Sequence, residues 1–579
     1  MKKLVILIAC GAVILFLFLR NNQNTASIEG QARLSSAPIS VCGSPDAHLI
    51  LKLMDTTRQM APWMDNLGDY SYTISTSNER AQYFFNQGLT LYYGFNHYEA
   101  YRSFKEAARL DPQCAMAFWG QALALGPNIN APMDPSDGEV VYKAVRRAQS
   151  LLDKATPIEQ KLVQAIAKRY TDEAPADRGH LDQAYADFMK QVVSEFPDDL
   201  DAKALYAESL MDLHPWDYWI KSGAPQSWTP EIVTLLEQIL LKNVNHIMAN
   251  HLYIHIMEAS PTPDRAVASA DRLREMIPGA GHLVHMPSHI YIRVGRYEEG
   301  ILANKKAAQA DEAYITQCKA QGIYPLGYYP HNYHFMWACA QMAGQGKEAL
   351  KASQTLVEKV DISLMGTRDW ATLQHYYAST WYAMMRFGKW NEIVKVPKPV
   401  DSLKYASAIW HYAQGFANLR LNKIKEVEEY LVTLKAKAKD PELEELKIWG
   451  QNSFGSVVNI AALVLEGEML AAKKKYDQAL QLLNEAVKKE DALIYQEPPD
   501  WHHPVRQTLG AVLLEAGKPA QAEVVFNEDL KMYRNNGWSL FGLSQSLEKQ
   551  GRKKESAATL ALYKNAFKNA DVQLTSARK

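Results

Sequence analysis

Residues 81–112, AQYFFNQGLTLYYGFNHYEAYRSFKEAARLDP, place small, large and helix-ending residues at spacings that suit a helical hairpin. Gly88 and Ala100 are small enough to let two neighbouring helices approach closely, and Phe104 is large enough to fill the gap towards the next pair. Pro112 cannot continue a helix and therefore ends the second one. The stretch predicts two antiparallel helices joined by a short turn.

The same spacing returns near the carboxyl terminus. Two further sets follow it: Ala479, Leu483 and Ala486, and Gly510, Ala522 and Phe526. In this spacing the chain resembles the tetratricopeptide repeat family, whose unit of about 34 residues forms a helix–turn–helix. The resemblance implies an all-α solenoid of helical hairpins that winds as a right-handed superhelix. It says little about function, because such solenoids serve many purposes.

The first 20 residues predict an apolar signal or anchor. Lys2 and Lys3 precede an unbroken apolar run, residues 4–19, which Arg20 closes. The run is slightly shorter than the roughly 17–25 residues of a full span, and no clear small-residue cleavage site follows it. We expect an exported protein, membrane-anchored or periplasmic, that meets the membrane through this segment only.

Composition and patterning divide the chain into five segments. They are an apolar segment (1–20), a flexible tether (21–45), N-terminal helical repeats (46–240), histidine-rich repeats (241–345) and C-terminal helical repeats (346–579). A net charge of −1 gives no sign of the basic stripe that a nucleic-acid partner requires, so we expect no nucleic acid among its partners. The chain has no CxxC spacing, so it has no thiolate metal motif. Disulfides or buried thiols both remain open for Cys42, Cys114, Cys318 and Cys339.

Two histidine pairs lie one repeat length apart. His251 and His255 are four residues apart, as are His285 and His289, and the second pair follows the first by 34 residues. An i, i+4 spacing places both rings on one face of a helix. Pro287 must lie in a first turn or kink its helix, and a helix that began there would weaken the geometry of the second pair.

The resemblance extends this pattern to four consecutive hairpins. In tetratricopeptide repeats, positions 2, 5, 9, 12 and 13 of the first helix line the concave groove. With hairpins beginning at residues 247, 281, 330 and 374, one groove receives eight of the sixteen histidines together with Glu258. These histidines are His251, His255, His282, His285, His289, His331, His334 and His375.

Imidazole nitrogen suits zinc, copper and iron, and two histidines at i, i+4 can chelate one ion. We therefore expect a transition metal ion, zinc foremost, with copper or iron as alternatives. The predicted ligands are His251, His255, Glu258, His285, His289, His331 and His334. His331 and His334 would extend the set of ligands or bind a substrate. Two alternatives stay open: a groove that binds an anionic peptide or small molecule through His, Asn and Arg293, and a purely structural role, since repeats also duplicate packing residues.

Three functions fit this pattern. The first is a membrane-tethered scaffold whose groove binds a metal and, through it or beside it, a ligand, peptide or partner protein. The second is a metal-dependent, hydrolase-like enzyme with Glu258 or Tyr253 as general acid or base and a metal-bound water as nucleophile. The third is a metal-free protein-interaction scaffold. The histidine-rich strings, residues 251–255 and 285–291, also resemble a group of exported bacterial repeat proteins, which implies no assigned activity.

Two aromatic-rich inserts flank the histidine repeats in sequence. Residues 214–230 contain Trp216, and residues 323–330 contain Tyr328. They are predicted either to cover the groove as lids or to fill gaps between hairpins.

Overall fold

The computed structural model describes residues 59–173, 175, 177–318 and 324–579, without the side chains of residues 317, 318 and 325. The predicted anchor and tether, with Cys42, lie outside the described residues, as does the side chain of Cys318. Cys114 and Cys339 are buried free thiols.

The described chain is almost entirely helical. The N-terminal helices are α1 (Glu79–Tyr93), α2 (His97–Leu110), α3 (Ala115–Ala124), α4 (Gly138–Gln149), α5 (Pro157–Ile166), α6 (Gly179–Glu195), α7 (Leu200–Leu213) and α8 (Thr229–Lys242). The central helices are α9 (Ile247–Glu258), α10 (Val267–Met276), α11 (Gly281–His285), α12 (Pro287–Val294), α13 (Tyr297–Cys318), α14 (Tyr329–Met342) and α15 (Gly346–Lys359).

The C-terminal helices are α16 (Leu373–Tyr377), α17 (Ser379–Arg386), α18 (Trp390–Ile393), α19 (Lys404–Arg420), α20 (Ile424–Lys437), α21 (Pro441–Glu445), α22 (Phe454–Ala472), α23 (Tyr476–Ala492), α24 (Val505–Glu515), α25 (Pro519–Met532), α26 (Gly537–Lys549) and α27 (Lys553–Ala566). Short 3-10 turns cover Pro135–Asp137, Leu152–Lys154 and Pro263–Ala266, and a π turn covers Tyr324–Tyr328. Strands β1 (Lys447–Ile448) and β2 (Asn452–Ser453) form one antiparallel hairpin, with Lys447 opposite Ser453.

Consecutive helices pack as antiparallel hairpins, which confirms the all-α solenoid of helical hairpins. The predicted packing of small against large residues is present. Phe104 fills the space between Gly88 and Gly120, where a Cβ would lie 2.8 and 2.3 Å from its ring. Phe526 lies in the same way between Gly510 and Gly542. The handedness of the superhelix stays a prediction.

Buried apolar side chains form two main clusters that meet in the central repeats. One draws on residues 61–324 and the other on residues 292–577. Helix α22 is long and apolar enough to cross a membrane by length and composition, yet 72% of its most apolar window is buried inside the protein. It therefore serves here as a core helix of the second cluster.

The connection between α23 and α24, residues 493–504, lies across the central repeats and is called the closing segment below. Tyr495 donates a hydrogen bond to the carbonyl oxygen of Glu258 (3.1 Å), and Gln341 donates one to the carbonyl oxygen of His502 (3.0 Å). Further along, Arg534 pairs with Asp264 at 2.7 Å. The C-terminal repeats are thus held against the central ones.

Candidate metal centre

The histidine-bearing helices begin where the sequence predicts. Helices α9, α11, α14 and α16 start at residues 247, 281, 329 and 373, each within one residue of the predicted start. Seven of the eight groove histidines are buried, and His331 is half-buried. Their first-helix positions therefore bring the imidazoles into one row inside the protein.

Pro287 does not separate the second histidine pair. Although α11 ends at His285 and α12 begins at Pro287, Met286 keeps helical angles (φ −49°, ψ −38°), so the helical path continues through the proline. The Nε2 atoms of His285 and His289 lie 2.9 Å apart. The weakening expected from a new helix start at Pro287 does not occur.

Three imidazole triads follow one another along the row. In each triad one ring nitrogen per residue lies within 4.8 Å of the other two. The triads are His251–His255–His282, His285–His289–His331 and His334–His375–His502. Two nitrogens bound to one tetrahedral zinc ion lie about 3.3 Å apart, close to the 3.1 Å between Nε2 of His251 and Nε2 of His282. The row therefore has the dimensions of a metal-binding array.

Two carboxylates converge on His289. Its Nδ1 lies 2.6 Å from Glu258 Oε2 and 3.0 Å from Glu497 Oε2, and His255 Nδ1 lies 3.5 Å from Glu258 Oε1. Burial alone would lower the pKa of His289, but the two carboxylates outweigh burial and raise it. Burial would likewise raise the pKa of Glu258, but His289 and His255 outweigh burial and lower it. We call His255, Glu258, His289 and Glu497 the mixed centre.

The charge of the mixed centre favours a divalent cation. Burial raises the pKa of Glu497 to about 7, so near neutral pH the two buried carboxyl groups are offset by the proton on His289 and by a partly occupied proton on Glu497. Arg293, the neighbouring cation, donates to the carbonyl oxygens of Glu258 and Ser260 and not to these carboxylates. Because an uncompensated buried charge is costly, a divalent ion in place of these protons would balance both carboxylates.

Outer hydrogen bonds fix the orientation of the rings. Asn304 donates to the carbonyl oxygen of Gly300 (2.8 Å), so its Oδ1 accepts from Nδ1 of His285 at 2.6 Å. The Nε2 of His285 is then free to accept from Nε2–H of His289, which leaves Nδ1 of His289 for the carboxylates or an ion. Similarly, His251 donates from Nδ1 to the carbonyl oxygen of Tyr93 at 2.6 Å. Such partners set the tautomer of a metal ligand.

The mixed centre borders a cavity of about 210 Å³. The lining residues are Asn130, Trp216, His255, Glu258, His282, His289, Gly327, Tyr328, His331, His334, Tyr376, Trp449, Gln451, Tyr495, Gln496, Glu497, Pro498 and Asp500. Trp216 and Tyr328 come from the two inserts, so both inserts help to enclose the site. The turn of the β1–β2 hairpin supplies Trp449 and Gln451, and the closing segment supplies Tyr495, Gln496, Glu497, Pro498 and Asp500.

Three aromatic residues around the row adopt left-handed backbone angles. Phe95 (φ 58°), Trp216 (φ 64°) and Trp449 (φ 45°) are neither glycine nor asparagine, so each costs of order 1–2 kcal/mol. The Phe95 ring lies 4.5 Å from that of His251, and the Trp216 ring lies 5.3 Å from that of His255. Backbone strain of this kind concentrates at functional sites.

The predicted residues separate into those that join the mixed centre and those that lie elsewhere. His255, Glu258 and His289 meet there, whereas His334 lies in the third triad. Tyr253 points elsewhere: its hydroxyl donates to Glu237 at 2.5 Å. The catalytic roles of Glu258 and Tyr253 stay predictions.

Sequence reasoning missed the closing segment. Residues 497–504, EPPDWHHP, supply Glu497 to the mixed centre, Asp500 to the cavity wall and His502 to the third triad. Burial raises the pKa of Asp500 to about 7. The available signal was two carboxylates and two adjacent histidines in a proline-rich connection between helices.

The chain is similar to several solved helical-repeat structures at low sequence identity. The human IFIT1 dimer with m7Gppp-AAAA is 10% identical over 86% of this chain and 96% of that chain, with a TM-score of 0.30. Yeast Tom70 is 12% identical over 84% and 93%, with a TM-score of 0.27. The Rap protein complexed with competence and sporulation factor is 9% identical over 79% and 98%, with a TM-score of 0.31.

No protein-family model and no curated protein matches the chain. The resemblance to exported bacterial repeat proteins with histidine-rich central repeats therefore stays a prediction.

Proposed function

We propose that this helical-repeat protein binds a transition metal ion at His255, Glu258, His289 and Glu497, and that the ion faces a cavity for a small ligand. One observation carries the proposal: Glu258 and Glu497, from separate parts of the chain, both meet Nδ1 of His289 in the buried interior. Two imidazoles and two carboxylates form a donor set that suits zinc, with iron as an alternative.

The cavity favours a small molecule over a peptide. A volume of about 210 Å³ is below the roughly 300–1,000 Å³ of drug-sized ligand pockets. The closing segment occupies the face on which an extended peptide would lie in an open groove. A peptide or protein partner would therefore bind outside this cavity.

A metal-dependent enzyme is the second candidate. All four residues of the mixed centre line the cavity, so an ion held there would have an open side where water could bind. Such a water is the nucleophile that a hydrolase-like reaction needs. Turnover of a small substrate that is lost on chelation and restored by zinc would distinguish this candidate from simple binding.

We also propose that the chain is exported and tethered by residues 1–20. The support is the lysine pair and apolar run described above, which lie outside the described residues. Membrane fractionation of the full chain against a variant without residues 1–20 tests this. Recovery of the full chain in the soluble cytoplasmic fraction would overturn it.

The direct test of metal binding is elemental analysis of the full-length chain purified in detergent. We expect bound zinc in the wild type and the loss of one ion in His289→Ala and in Glu258→Gln. His411→Ala is the matched control, because buried His411 bonds, among the residues that the structure describes, only to the carbonyl oxygen of Ser407 (2.6 Å). Unchanged zinc content in both centre variants would overturn the proposal.

A further inference from the structure

The third triad shares no residue with the mixed centre. His334 comes from α14, His375 from α16 and His502 from the closing segment, and one ring nitrogen of each lies within 4.8 Å of the other two. His331 separates the two sites: its ring lies 6.2 Å from that of His334 and its Nδ1 lies 3.4 Å from the Tyr376 hydroxyl. The triad is therefore a separate cluster of potential ligands.

All three triad imidazoles are buried and have nitrogens without a partner. His334, His375 and His502 are 4%, 1% and 3% exposed to solvent, respectively. Within the described part of the chain, Nε2 of each ring meets no hydrogen-bonding group. Buried polar atoms are almost always satisfied in folded proteins. Three unpartnered nitrogens on the rings of one cluster indicate a partner that is not part of the chain.

The surroundings hold these rings in place. His375 Nδ1 shares a hydrogen bond of 2.8 Å with the Tyr405 hydroxyl, which is the kind of outer contact that orients a metal ligand. The main chain at His502 is fixed by Gln341, which donates to its carbonyl oxygen at 3.0 Å. The His334 ring stacks on Trp337 at 5.6 Å. The triad is therefore built before any ion arrives.

We propose that His334, His375 and His502 form a second metal site for a borderline divalent cation such as Zn²⁺. An all-imidazole set suits zinc or copper, in contrast to the carboxylate-containing mixed centre. Three protein ligands leave the fourth tetrahedral position open. His334 also lines the cavity, so this second site lies beside the ligand space of the mixed centre. The site depends on the closing segment, since His502 is one of its three ligands.

The test measures Zn²⁺ per chain in the full-length protein after saturation with zinc and gel filtration. We expect His375→Ala and His502→Gln each to hold one ion fewer than the wild type. His503→Ala is the control, because His503 is the neighbouring residue in the closing segment and lies outside the triad. Wild-type zinc content in both triad variants would overturn the proposal.

Glu258→Gln separates this proposal from that of the mixed centre and guards against variants that fail to fold. It leaves the triad intact, so X-ray absorption is expected to show a zinc with three imidazole nitrogens at about 2.0–2.1 Å. Absence of any such zinc would overturn the second site. Full zinc content in Glu258→Gln combined with loss in His375→Ala would support the second site and refute the mixed centre.

Discussion

His289 Nδ1 lies 3.0 Å from Glu497 Oε2, and this contact joins the central repeats to the closing segment. The same nitrogen lies 2.6 Å from Glu258 Oε2, in the preceding hairpin. One imidazole thus gathers carboxylates from a neighbouring repeat and from a distant one.

Asn304→Ala should weaken zinc binding at the mixed centre by up to about 10-fold, the low end of the usual effect of losing an outer partner, because Asn304 reaches His289 only through His285. Asn304 holds His285 in the tautomer that accepts from His289. Competition titration with a chelator measures the affinity. Asn418→Ala is the matched control, because buried Asn418 likewise donates to a carbonyl oxygen four residues earlier but reaches no histidine of the row. Equal affinities in the two variants would contradict the prediction.

Metal-free protein should lose stability as the pH falls from about 7 to about 5. Burial lowers the pKa of His331 and His375 to about 3, whereas an unfolded histidine titrates near 6.5. Below pH 6.5 the unfolded chain therefore binds protons that the folded chain does not, and each such imidazole removes up to about 1.4 kcal/mol per pH unit. Burial also lowers the pKa of His251, His255, His282, His285, His334 and His502.

His289 acts in the opposite direction. Its pKa is raised in the folded protein, so its stabilisation is fully present below about pH 6.5 and fades as the pH rises towards the folded value. Because this contribution is already constant below about pH 6.5, it offsets almost none of the stability that the lowered histidines lose between pH 6.5 and pH 5. Urea unfolding in the presence of a chelator at pH 7, 6 and 5 measures the net effect. A free energy of unfolding that stays level or increases on acidification would show that the buried histidines of the row are not kept in their neutral form.

Gly542→Ala should destabilise the protein by about 1–3 kcal/mol, the usual cost of overpacking. An added Cβ would lie 2.3 Å from the Phe526 ring, which is fully buried. Thermal unfolding checks this result. Gly366→Ala serves as the control, since no atom of the described residues lies within 4 Å of its added Cβ. A melting temperature for Gly542→Ala that matches the control would refute the close-approach argument.

Trp216→Asn should speed the removal of zinc by a chelator while leaving the fold at least as stable. Asparagine tolerates the left-handed angles of this position, which offsets the lost packing of a ring that is 37% exposed. Trp63→Asn is the matched control, an exposed tryptophan stacked on Tyr83 outside the cavity. A loss of more than about 2 kcal/mol in Trp216→Asn would instead identify the ring as a packing residue.

The parts of this molecule that local spacing controls could be predicted from the sequence. Gly88, Ala100 and Phe104 fall within one hairpin, so their spacing is enough to identify it. The histidine-bearing helices were found because the pattern of His251 and His255 returns one repeat later. Both signals are short-range and repeat along the chain.

Residues brought in by long-range folding could not be predicted in this way. Glu497 and His502 lie in a connection that follows no repeat pattern, and their contacts depend on how the superhelix curves.

Tyr253 illustrates a limit of another kind. Positions two residues apart do not share a helix face, and Tyr253, midway between His251 and His255, bonds to Glu237 on the other side of α9.

The closing segment, residues 493–504, lies across the central repeats and changes how this array of repeats can unfold. Ordinary solenoids lose end units independently, because each repeat contacts only its neighbours. Here the last hairpins are tied to Asp264 and Gln341 in the central repeats through Arg534 and Trp538. Fraying of the carboxyl-terminal end would therefore pull the two metal-ligand side chains of the closing segment out of the interior. The bound ions and the folded structure of that end should be lost together, in one cooperative step.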